Sequence, residues 1–91
     1  MHLKLLNQAR SSLSSIEKYT AETWGERQAK TYIDSFYKTF NSIATLPRLG
    51  RFLFARNGAE YRRIVHREHL ISYAIIGEIV FVYAIRSHYQ G

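Results

Sequence analysis

Downstream of Gln8 the sequence places Ala9, Leu13, Ile16, Thr20 and Trp24 at steps of four, three, four and four. These steps lay one stripe along a single face of a helix that ends near Trp24-Gly25. A second helical pattern starts at once, with Ala29, Tyr32, Ile33, Phe36, Tyr37, Phe40, Ile43 and Ala44. Glycine after the last periodic residue is a common stop signal, and so short a junction allows only an antiparallel pair of helices. Pro47 biases Leu46 away from helical angles and ends the second helix, and Gly50 follows as a turn residue. Ahead of the helices, His2 to Leu6 alternates as a short first strand does, with Asn7 placed to cap the helix that follows. Beyond Gly50 the period drops from about 3.6 to 2, the mark of strands. Arg51–Ala55, Glu60–Arg67, Leu70–Ile76 and Ile79–Ile85 are the candidates, and Asn57-Gly58 and Gly77-Glu78 have the composition of tight hairpin turns. The last two stretches are the most apolar and should occupy the sheet's centre. The pattern predicts an α+β domain of order β-α-α-β-β-β, with a helical hairpin on one face of a mainly antiparallel sheet.

Length and charge refine this picture. Ninety-one residues suffice for one domain, 1–91, with a core of its own. The chain lacks cysteine, which excludes disulfides and thiolate chemistry. The run from Leu70 to Ile85 is interrupted by Ser72, Gly77 and Glu78 and falls short of a membrane span, and nothing reads as a signal peptide, so a cytoplasmic protein is expected. The net charge is +6, and it is uneven. Every basic residue from Pro47 onward is an arginine: Arg48, Arg51, Arg56, Arg62, Arg63, Arg67 and Arg86. Arginine presents a rigid fork of donors suited to phosphate and carboxylate, so this half reads as a binding surface for an acidic partner.

Motifs for common chemistries are missing: there is no phosphate-binding glycine loop, nucleophile elbow or His-Glu-x-x-His. The four histidines lack a third ligand at metal spacing, so neither a metal nor another cofactor is expected. His69 suits a hydrogen-bonding role at a strand edge. Arg86-Ser87-His88-Tyr89 gathers a cation, a group that titrates near neutrality and a phenol. With Arg62 or Arg63 holding the phosphate, such a set can cleave RNA without metal. Against that stands the plain alternative of a packed tyrosine and a polar end residue. Trp24, Tyr19, Tyr32 and Tyr37 are expected as an aromatic cluster between the helices, either as ordinary core or as a groove for a partner helix.

Nearly the whole chain carries a family pattern. Ile16-x-x-Tyr19, Trp24-Gly25-x-x-Gln28-Ala29-x-x-Tyr32, Phe40-x-x-Ile43-Ala44-x-x-Pro47-x-x-Gly50-Arg51, Tyr61-Arg62 and His69-x-Ile71-x-Tyr73 resemble the RelE/ParE superfamily of type II toxins. The Trp-Gly-x-x-Gln-Ala and Pro-x-x-Gly-Arg pieces look like the ParE branch. The resemblance implies a toxin neutralised by a cognate antitoxin in a hetero-oligomer, with Trp24, Tyr32 and Tyr37 as candidate antitoxin contacts. ParE-type toxins are understood to poison DNA gyrase, whereas RelE- and YoeB-type toxins cut messenger RNA on the ribosome. Arg86-x-His88-Tyr89 is similar to the YoeB ending, and a nuclease of that kind would use Arg63, Arg86, His88 and Tyr89. However, Leu70 stands where the nucleases carry an arginine three residues before the strand tyrosine, and no acid lies between Arg48 and Arg56. The balance implies a gyrase-directed, growth-arresting toxin, with Arg51, Arg62, Arg63 and Arg86 as target or nucleic-acid contacts. A ribosome-dependent messenger endoribonuclease is the alternative.

Overall fold

A computed structural model describes residues 1–88. Its elements are β1 (His2–Leu5), α1 (Asn7–Trp24), α2 (Glu26–Thr45), a single 3-10 turn (Pro47–Leu49), β2 (Arg51–Arg56), β3 (Ala59–His66), β4 (His69–Ile76) and β5 (Ile79–Ser87). The five strands form one sheet in the order β1-β5-β4-β3-β2. β1 runs parallel to β5, and every other pairing is antiparallel. The layers are those expected, with one strand more than the β-α-α-β-β-β order. The Arg51–Ala55 stretch is a full edge strand paired to β3, because the Asn57-Gly58 turn brings it back into register. Asn57 and Gly58 both take positive φ, 50° and 80°, as the hairpin turn that matches strand twist requires.

Gly25 alone joins the helices. Its N–H bonds the carbonyl of Ala21, and its own carbonyl accepts from the N–H of Ala29, so one residue closes α1 and opens α2. Its φ of 97° and ψ of 162° lie in a region essentially reserved for glycine. Asn7 does not cap α1 as expected. The backbone N–H of Leu6 still bonds Val82 across the sheet, so the chain leaves β1 at Leu6, which becomes the cap, and Asn7 is already helical. Its side chain accepts from Arg10 instead.

The core lies between the helices and the inner face of the central strands. Ala9 and Leu13 of α1 and Phe36, Phe40 and Ile43 of α2 meet Ile71, Tyr73, Ile75, Val80, Val82 and Ile85 of β4 and β5. Burial of such aliphatic and aromatic groups, at roughly 25 cal/mol per Å², is the main favourable contribution to folding. The expected aromatic cluster between the helices does not form. Tyr19, Trp24 and Tyr37 are exposed, Trp24 to 70%, because the faces of α1 and α2 that meet the sheet carry Ala9, Leu13, Phe36, Phe40 and Ile43 instead. Tyr32 is half-buried, edge-on to Phe36 at 5.3 Å.

Candidate functional site

Strand alternation sorts the arginine-rich half onto two faces. On β3, Glu60, Arg62, Ile64 and His66 point to the helices, while Tyr61, Arg63 and Val65 point away. The inward set forms a lock at the start of β2. Arg62 donates to the carboxylate of Glu60 and to the backbone carbonyls of Arg48 (3.1 Å) and Gly50 (2.7 Å), and its guanidinium lies 5.6 Å from the Phe52 ring centre. Arg48 adds a forked pair to Glu60. These two cations, Arg48 first, hold the Glu60 carboxyl below its ordinary range. The hydroxyl of fully buried Tyr73 donates to the Pro47 carbonyl and accepts from the Gly50 N–H, both at 2.8 Å, and burial raises its pKa. Arg62, expected among the contact residues, is therefore turned inward and engaged by the fold itself, with a side chain only 14% exposed.

The outward face has a different character. Register aligns it in rows across the strands. Arg56, Ala59, Ile76 and Ile79 form one row, and Phe54, Tyr61, Ala74, Phe81 and Lys4 form the next. Arg51, Arg63, Ser72 and Ala84 follow, and then Val65, Leu70 and Arg86. Phe54 stacks on Tyr61 at 4.5 Å, and Tyr61 meets Tyr83 edge-on at 5.9 Å. The sheet thus brings Arg51, Arg63 and Arg86 to one face. Leu70 lies on that face with Arg86 directly across from it. His88 follows β5, its backbone N–H bonded to the carbonyl of Glu68 at 2.7 Å. Tyr89 lies outside the described residues.

At the end of the helical hairpin a groove of about 760 Å³ opens between α1, α2 and the β3–β4 turn, lined among others by Tyr19, Trp24, Tyr32, Arg67, Glu68 and His69. Of the expected antitoxin contacts it unites Trp24 and Tyr32. Tyr37 lies elsewhere on α2, against Phe40. The Tyr32 hydroxyl meets Nδ1 of His69 at 3.0 Å, and Arg67 sits 5.7 Å over the Tyr32 ring. His66 is bracketed by Ser35 at 2.9 Å and Thr39 at 3.0 Å. Because the Ser35 hydroxyl donates to the Tyr32 carbonyl, His66 Nε2 carries the proton and donates to Ser35, leaving Nδ1 to accept from Thr39. Burial lowers the pKa of both imidazoles. Through its bond to Tyr32, His69 bridges sheet and helix rather than serving a strand edge. Sequence reasoning misses Phe54 and Tyr83 and the ridge they form with Tyr61. The i, i+2 spacing of Tyr61, Arg63 and Val65 was the available signal for the ridge.

No helix among the described residues is long and apolar enough to cross a membrane. Two solved structures share the fold over almost their full length. One is described as the chromosomal ParDE toxin–antitoxin system from P. aeruginosa, with a TM-score of 0.75 at 14% identity, covering 96% of this chain and 95% of that one. The other is the archaeal RelE–RelB complex from Pyrococcus horikoshii OT3, with a TM-score of 0.71 at 11% identity, covering 99% and 97%. No curated protein matches the sequence. The family model described as "ParE toxin of type II toxin-antitoxin system, parDE" matches residues 3–90, and the chain belongs to that family of toxins.

Proposed function

We propose that this toxin arrests growth by inhibiting DNA gyrase in the cytoplasm, and that a cognate antitoxin neutralises it in a hetero-oligomeric complex. Arg51, Arg63 and Arg86 meet the target, and the antitoxin covers Trp24 and Tyr32, with Tyr37 as a separate contact on α2. The observation that carries the reading is Leu70. It occupies, on the arginine-bearing face, the place at which messenger-cutting relatives are expected to hold a cation. A leucine gives no stabilisation to charge building on a phosphate, and losing one such donor typically costs about 100- to 1,000-fold in rate. Purified toxin at stoichiometric excess should suppress supercoiling by gyrase. Unchanged gyrase activity, together with cleaved messenger on ribosomes, would overturn the proposal.

One observation favours the nuclease alternative: Arg86 of β5 stands directly opposite Leu70 of β4, two residues before His88. In that reading Arg63 and Arg86 hold the phosphate, and His88 with Tyr89 moves the protons. His88→Ala would then abolish growth arrest, whereas full arrest by that variant excludes the nuclease.

A further inference from the structure

The outward sheet face is basic, aromatic and free of acids. Of the seven carboxylates, Glu17, Glu22, Glu26 and Asp34 lie on the helices, Glu60 points inward, and Glu68 and Glu78 sit in turns, so none occupies an outward strand position. Arg51 and Arg63 are directly opposed across β2 and β3. Like charges placed so destabilise a sheet, and no carboxylate side chain among the described residues lies on that face to offset them. Arg56 lies on the far side of the Phe54–Tyr61 row from this pair, so cations flank an aromatic ridge on both sides. Rows two residues apart on a strand are separated by roughly 6–7 Å. Phe54 is 47% exposed although it is an apolar ring on a water-facing strand.

Flanking cations around an exposed aromatic row are what a nucleic-acid strand with unstacked bases needs: phosphates take the guanidinium forks, and bases lie on the rings. We infer that the toxin itself binds single-stranded DNA on this face, with bases stacked along Phe54, Tyr61 and Tyr83 and phosphates held by Arg51, Arg63 and Arg86 on one side and Arg56 on the other. A duplex hides its base faces and would leave the ridge unused. The choice of DNA over RNA rests on the gyrase reading.

Fluorescence anisotropy of a labelled deoxythymidine oligomer, about 15 nucleotides long, with the full-length toxin tests this. Binding should weaken with salt at a logarithmic slope of about −3 if four phosphates are neutralised. A duplex of equal length should bind more weakly. Arg51→Ala/Arg63→Ala should weaken binding by about tenfold or more, and Phe54→Ala by about fivefold or more, the size of one lost base stack. Lys30→Ala/Lys38→Ala removes equal charge from α2 and should change little. Circular dichroism confirms that the variants fold. The inference is overturned by no binding at low salt, by equal losses in the helix and sheet variants, by a preference for duplex, or by binding of a uridine oligomer alone. Absent DNA binding with gyrase still inhibited removes this inference and leaves the gyrase reading standing. DNA binding without gyrase inhibition does the reverse.

Discussion

Tyr73 and Gly50 form a matched pair in which each explains the other. A Cβ at Gly50 would lie 2.6 Å from the Tyr73 hydroxyl and 3.0 Å from the Arg63 carbonyl. Gly50→Ala should therefore push the phenol off two backbone groups and lower the thermal midpoint. Tyr73→Phe keeps the ring but leaves a buried N–H and a carbonyl without their partner, a loss of about 1–3 kcal/mol by denaturant titration. Gly25→Ala meets no neighbour. It should still cost about 1–3 kcal/mol, because an L side chain is strained at that backbone conformation. The comparison separates two reasons for glycine, one spatial and one conformational. The family pattern Pro47-x-x-Gly50-Arg51 thus has a local explanation: the proline carbonyl and glycine N–H are both held by one phenol, and the next residue is aimed outward.

Between α2 and the β3–β4 hairpin, His66 and His69 form a polar seam beside the apolar core. Both imidazoles lie below their ordinary value of 6.5, through burial first and then, for His66, through the Arg67 and His69 charges. The unfolded chain therefore binds protons more readily than the folded one. The stability linked to these groups is fully present above about pH 6.5 and is lost as pH falls through the folded values. The thermal midpoint should fall as pH is lowered from about 7.5 to about 5, and His66→Gln/His69→Gln should flatten that dependence. A midpoint flat in the wild type would contradict the seam. Most element boundaries were legible in sequence because period and turn chemistry agree there, as at Trp24-Gly25, Asn57-Gly58 and Gly77-Glu78. The seam was not, since Ser35 and Thr39 become partners of His66 only once helix and sheet are docked. The stripe containing Trp24 misled for a related reason: helical periodicity tells which side chains share a face, but the neighbouring layer ends before Trp24 reaches it.

At the scale of the molecule, the arginine excess of the second half was readable as a binding surface, but only the register divides it into an inward lock and an outward face. Trp24, the sole tryptophan, reports on the groove. If the antitoxin covers it, its emission should shift to shorter wavelength on complex formation, and an unshifted spectrum places the antitoxin elsewhere. With a charge of +6, association with an acidic antitoxin should slow and weaken as salt rises. Another consequence lies in the parallel pairing of β1 with β5, where His2 stands beside Ile79. β1 finds its partner only once β5, more than seventy residues further along, exists, so contacts distant along the chain complete the sheet and folding is slowed accordingly. A nascent chain still lacking β5 has no finished sheet; if the outward face is what meets the target, translation leaves an interval before the chain can act.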